Sequence, residues 1–133
     1  MADNGRVLEL RVVLTVADQE AALRLYRDVL GLSVTEEFPG GTLMAAGNGT
    51  LEILTKAEAE RADRIETGTA IGAPVRIGLE VVDSAGMARA LEAAGMKRVA
   101  DPVKTPWGHV NVRLQTVEGV QVTLFTTGAA GPA

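Results

Sequence analysis

The sequence predicts an α+β chain of two tandem β-α-β-β-β modules that face one another across a shared cavity, on three observations. An alternating run, Leu10-Arg11-Val12-Val13-Leu14-Thr15-Val16-Ala17-Asp18, recurs as Val75-Arg76-Ile77-Gly78-Leu79-Glu80-Val81-Val82-Asp83, with Arg11 and Arg76 at the same place. Each run leads into a helical stripe that closes on a glycine, and each stripe is followed by three further strand signals. Two copies of such a module ordinarily pair about a local twofold, so residues at matching positions converge on one site.

The elements follow in order. Residues 8–16 put Leu8, Leu10, Val12, Leu14 and Val16 on one side and Glu9, Arg11, Val13 and Thr15 on the other, the pattern of a strand packed on one face. Asp18 offers an N-cap, and Ala22, Leu23, Tyr26, Val29 and Leu30 form a stripe ending at Gly31, predicting a helix over about 19–30. Phe38-Pro39-Gly40-Gly41 and Gly47-Asn48-Gly49 are hairpin signals between strands near 32–38, 42–46 and 50–55. The charged, then Gly-rich, stretch 56–71 reads as a connector with a short solvated helix.

The second copy begins with alternation over 74–82, a cap at Asp83 or Ser84, and a stripe of Met87, Leu91 and Ala94 closing at Gly95. Strands near 97–102, 109–116 and 120–126 complete it, the last two joined through Glu118-Gly119. The expected layout is one domain over 1–133, with module 1 at about 6–55, a connector at 56–72, module 2 at about 73–127, and frayed ends at 1–5 and 128–133.

With 133 residues, the chain is long enough to bury a core without disulfides or a structural metal. Its 47% hydrophobic and 23% charged residues argue against disorder and against a membrane-embedded fold. No apolar run approaches the about 20 residues that span a bilayer, and MADNGRVLEL has no signal-peptide core, so a cytoplasmic location without membrane partners is expected. The absence of cysteine excludes disulfides, thiolate metal sites and a cysteine nucleophile. A net charge of -4 without any Lys/Arg cluster excludes a nucleic-acid partner. Phosphate loops, zinc-protease motifs, nucleophile elbows and dinucleotide fingerprints are missing.

The segment Ala22-Leu23-Arg24-Leu25-Tyr26-Arg27-Asp28-Val29-Leu30-Gly31-Leu32 resembles the A-x-x-F-Y-x-x-x-L-G-[LFM] stretch of the vicinal oxygen chelate superfamily, which holds glyoxalase I, extradiol dioxygenases, fosfomycin-modifying enzymes and bleomycin-resistance proteins. Leu25 stands in place of the usual Phe. Thr105-Pro106-Trp107-Gly108-His109 and Val117-Glu118-Gly119-Val120-Gln121-Val122-Thr123-Leu124 are similar to its P-W-G and D-P-x-G-x-x-x-E-L patterns, with Thr116-Val117 where Asp-Pro is usual. The resemblance runs over roughly residues 8–126 and implies a curled mixed sheet around a cup, the glyoxalase/bleomycin resistance fold, in a homodimer.

Metal-dependent members carry ligands on the first and last strand of each module, positions that correspond here to Arg11, Glu52, Arg76 and Thr123. Of these only Glu52 suits a divalent cation, because guanidinium brings its own positive charge and has no acceptor. No metal, cofactor or catalytic residue is therefore assigned. Strand alternation turns Arg11 and Arg76 away from the helix-packed side, into the cup. There they either hold an anion or form internal salt bridges with Glu52 or Glu80.

Glu52 is a salt-bridge partner, a surviving ligand or a base; His109, the only histidine, faces the cup or solvent. Trp107, the only tryptophan, stacks a flat ligand or plugs a subunit interface. The expected function is metal-free binding of a small organic ligand such as an antibiotic. Arg11, Glu52, Arg76, Trp107, His109, Asn111, Arg113 and Thr123 are the candidate binding residues, and Phe38, Met44, Leu54 and Phe125 candidate apolar lining. The alternatives are an enzyme of the superfamily, a lyase, isomerase or dioxygenase, and a regulatory dimer with a self-filled cavity.

Overall fold

The structure, a computed structural model, describes residues 6–128; of the expected frayed ends 1–5 and 128–133, all but Gly128 lie outside the described residues. Strand β1 (Val7–Val16) leads to Asp18, whose Oδ1 accepts from the Ala21 N–H at 3.1 Å and caps helix α1 (Gln19–Leu23). The helix then widens into a π-helical turn over Arg24–Val29, closed by Leu30 N–H to the Leu25 carbonyl at 2.9 Å. Strands β2 (Ser33–Phe38), β3 (Gly41–Ala46) and β4 (Gly49–Thr55) follow as a meander. Helix α2 (Lys56–Thr67) connects to β5 (Val75–Val81), α3 (Ser84–Ala93) and strands β6 (Lys97–Arg98), β7 (Val103–Lys104), β8 (Val110–Gln115) and β9 (Gln121–Thr126).

All the strands belong to one sheet in the order β2-β3-β4-β1-β5-β9-β8-β6, with β7 also on β8. At its centre β1 and β5 are antiparallel, and each is flanked on its other side by a parallel strand of its own half, β4 or β9. Arg11 sits opposite Gly78 and Val13 opposite Arg76, so the register exchanges the two halves about the Val12–Ile77 pair. This is the local twofold that the repeat predicts.

The two packed helix faces make two apolar clusters on the outer side of the sheet. Ala22 and Leu23 of α1 meet Met44 and Ile53. Ala88 of α3 meets Val81, Val112, Leu114, Val122 and Leu124. Because side chains alternate along a strand, the remaining residues of β1, β4, β5, β8 and β9 face the inner side. That set contains Arg11, Glu52, Arg76, Asn111, Arg113, Thr123 and Phe125.

Two elements depart from expectation. The strand near 97–102 is cut down to β6 at Lys97–Arg98, and a second short strand, β7, lies beyond its expected end, past Pro102, which has no N–H for a ladder. The connector helix is longer than expected and is not simply solvated: Ala62, Asp63 and Glu66 are buried against the inner side of the sheet.

Candidate functional site

The inner side encloses a cavity of about 710 Å³ whose apolar wall includes Val13, Phe38, Leu43, Leu54 and Phe125. Helix α2 closes part of the cup and separates off a second hollow of about 250 Å³ that reaches Arg76 and Arg113 from the other side. Of the residues expected to line the cup, Leu54, Phe38 and Phe125 do so, whereas Met44 is buried in the outer cluster. Its phase along β3 explains this, because Leu43 pairs with inward-facing Glu52 and Met44 points the other way.

One end of the cup is filled by an ionic network built on α2. Arg113 is inaccessible to solvent; its Nη1 lies 3.0 Å from Asp63 Oδ1 and its Nη2 2.9 Å from Glu66 Oε1. Its Nε donates to Glu66 Oε1 at 3.0 Å and to Thr123 Oγ1 at 3.1 Å, and its Nη1 donates to Gln121 Oε1 at 3.1 Å. Asp63 Oδ2 in turn accepts from the N–H groups of Ile71 and Gly72 at 2.9 and 3.2 Å, tying down the chain that returns to β5. Asn111 Nδ2 donates to Glu66 Oε2 at 3.0 Å, which leaves its buried Oδ1 without a hydrogen-bond donor.

Glu66 and Asp63 escaped the sequence reading, which took their segment as a solvated connector. The helix itself had a signal in Thr55, whose Oγ1 accepts from Glu58 N–H at 3.2 Å, and in Gly68, which ends it at φ 85°. Its buried acidic face had none, because the partner Arg113 lies in a strand of the other half.

The two repeat-related arginines differ in their surroundings. Arg11 Nε donates to Glu9 Oε1 at 3.1 Å, its Nη1 is 3.7 Å from Glu52 Oε1, and its guanidinium lies 4.8 Å from the centre of the Phe125 ring. Gly78 opposite leaves this corner open, since a Cβ there would touch both Arg11 and Phe125 at 3.5 Å. Arg76 Nη1 instead donates to Thr123 Oγ1 at 2.8 Å, and that hydroxyl donates to Glu66 Oε1 at 2.8 Å. Glu80, the other expected partner, accepts from Thr127 Oγ1 at 2.9 Å.

Burial pushes the Glu52 carboxyl above its usual range, against the pull of Arg76 and Arg11. Burial likewise draws the Arg76 guanidinium down, with Glu66 and Glu52 opposing. His109 is held below the ordinary imidazole range, first by desolvation and then by Arg11. Its ring stacks on Phe125 with centroids 5.5 Å apart and meets Trp107 edge-on at 6.4 Å. The turn that presents Trp107 is clamped by Thr105, whose N–H donates to the His109 carbonyl at 2.8 Å and whose Oγ1 accepts from His109 N–H at 3.0 Å. Trp107 is half-exposed at the rim, with the Arg61 guanidinium 5.8 Å from its ring centre.

Arg11, Glu52, Arg76, Trp107, His109, Asn111 and Thr123 thus share one cavity, while Arg113 stands behind it in the ionic network. The four positions that the resemblance implies for metal ligands do not fit a divalent cation. Arg11 and Arg76 supply donors and positive charge, Thr123 Oγ1 is committed to three partners, and Glu52 remains as one carboxylate. No three His, Asp or Glu side chains among the described residues are grouped to hold a metal ion.

No curated protein sequence matches the chain. Among solved structures, an NAD-dependent benzaldehyde dehydrogenase structure from Legionella pneumophila superposes with TM-score 0.69 at 14% identity, covering 89% of this chain and 98% of the other. A methylmalonyl-CoA epimerase from Mycobacterium tuberculosis gives 0.66 at 19%, covering 91% and 89%. A glyoxalase/bleomycin resistance protein/dioxygenase superfamily member from Vibrio splendidus 12B01 gives 0.62 at 15%, covering 89% and 97%. At these identities the likeness is one of fold. The family pattern matches residues 10–124, nearly the whole length of both repeats and the helix between them, and the chain belongs to the Glyoxalase/Bleomycin resistance protein/Dioxygenase superfamily.

Proposed function

We propose that this protein is a metal-free binder of a small organic molecule, held stoichiometrically in the cup, with an antibiotic as the type of ligand. The observation that carries this reading is the cavity of about 710 Å³, which joins an apolar and aromatic wall to a few converging polar groups. Phe38, Leu43, Leu54 and Phe125 supply contact area, and Arg11, Glu52, Arg76, His109, Asn111 and Thr123 orient the ligand. Trp107 stacks at the mouth. A cup that retains this volume beside its ionic network speaks against a self-filled regulatory protein. The working unit is a homodimer, for which the solvent-exposed apolar side chains Leu8, Leu10 and Val75 on the central strands offer a face.

The test is titration of the purified protein with polycyclic and glycopeptide drugs, read through Trp107 emission, together with drug tolerance of cells that express it. Saturable quenching at one ligand per cup and raised tolerance are expected. Unchanged emission with no tolerance overturns the reading, as does stoichiometric uptake of Ni, Zn, Mn or Fe(II) through Glu52.

A second reading, an enzyme, is favoured by one feature: Glu52 is a partly buried carboxylate pushed above its usual range inside a ligand-sized cavity. In that case Glu52 moves a proton on the bound molecule, and Glu52→Gln abolishes turnover while leaving binding in place.

A further inference from the structure

Of the three arginines on the inner side of the sheet, Arg11, Arg76 and Arg113, two are matched by carboxylates. Glu9 and Glu52 stand against Arg11, and Asp63 and Glu66 against Arg113. Arg76, by contrast, has a single neutral partner among the described residues, the Thr123 hydroxyl, and no carboxylate of those residues within ion-pair distance. Its side chain borders both hollows of the cup, so the unused edge of its guanidinium is open to a ligand. A desolvated guanidinium with one neutral hydrogen bond is costly, and a planar two-oxygen anion answers its fork of donors best.

A second, independent observation lies beside it. Asn111 is 4% exposed, lines the same cavity, and has an Oδ1 that accepts nothing. The amide orientation is not arbitrary: Nδ2 must face the Glu66 carboxylate, so the oxygen is the atom turned away from it. The polar end of the cavity is therefore unsatisfied in both senses, with donors at Arg76 and an acceptor at Asn111. Glu66, Glu52 and Asp63 already act on Arg76 at this end, which disfavours a dianion such as a phosphate monoester.

We propose that Arg76 is the receptor for a carboxylate on the ligand, so that the cup selects organic acids with an apolar body. The acid group pairs with Arg76 at the polar end, and the body lies along Phe38, Leu54 and Phe125. This rests on the ligand-binding reading above, and narrows its ligand to a chemical class.

The probes are 2-naphthoate and its neutral counterpart of the same shape, 2-acetylnaphthalene, titrated by calorimetry and Trp107 emission. The expected result is that naphthoate binds about 10- to 100-fold more tightly, the range of a charge-assisted, partly buried pair. Arg76→Gln removes the difference between the two probes, and Arg76→Lys retains part of it, with thermal melts confirming that both variants fold. Equal affinity of the two probes for the unaltered protein overturns the assignment of Arg76 and leaves ligand binding standing. A preference for naphthoate that survives Arg76→Gln in a folded variant does the same. Failure of both probes to bind overturns both readings.

Discussion

At the scale of single residues, Arg113 is the side chain on which the inner face of the molecule is organised. Among the described residues it is the largest side chain wholly removed from solvent, and it reaches Asp63, Glu66, Gln121 and Thr123 at once. Replacing it by Met keeps the volume and leaves Asp63 and Glu66 buried without their cation. Breaking a buried pair by removing one partner typically costs about 3–5 kcal/mol. Arg113→Met is therefore expected to lower the unfolding free energy by about that amount in urea titrations, far more than removal of an exposed, solvent-screened ion pair such as that of Arg27 with Asp28. The sequence made Arg113 a ligand-orienting residue because its phase on β8 matches that of Asn111. Phase alone could not show that an acidic helix lies between it and the cavity.

At the scale of elements, the strands and the two outer helices were legible because each announces itself locally. Alternation in residues 8–16 and 74–82 set the inward faces of β1 and β5, and Gly31 and Gly95, at φ 86° and 119°, end the helical runs where expected. The Pro39-Gly40 turn between β2 and β3, with Gly40 at φ 80°, was equally plain. Helix α2 was legible as a helix and illegible as a part of the site. Its charges suit water as well as they suit Arg113, and only the pairing across the sheet separates the two. Because α2 carries two of the carboxylates of the network, its N-terminal cap matters beyond the helix. Thr55→Ala, which removes the acceptor for Glu58 N–H, is expected to cost about 1 kcal/mol in denaturation. Faster hydrogen exchange should spread from α2 to Ile71 and Gly72, whose N–H groups are held by Asp63.

At the scale of the whole molecule, two partly buried titrating groups bend the pH dependence of stability in opposite directions. The Glu52 carboxyl is raised in the folded protein, chiefly by burial, so its contribution is fully present below the ordinary carboxylate range. It is lost as pH climbs from there through the raised folded value, because the unfolded chain ionises first. His109 is depressed, chiefly by burial, so its contribution is present above the ordinary imidazole range and lost as pH falls through the lower folded value. Glu52→Gln should remove the first slope alone. Urea midpoints of this variant, followed from acid to neutral pH, are expected to gain on those of the unaltered protein as pH rises. A constant offset between the two curves would show that Glu52 is not buried in the ionisable state described here.

The repeat invites the expectation that two equivalent halves make two equivalent binding sites. The cross-strand register honours that symmetry, but α2 is a single copy and lies over one side of the twofold axis. By bringing Glu66 and Asp63 to Arg113, it leaves Arg76 bonded to the Thr123 hydroxyl alone among the described residues, while Arg11 keeps its own carboxylates. A duplicated fold has thereby been made to count to one. Each chain should saturate with one ligand, and a binding isotherm should show a single class of site with no second step from the other half.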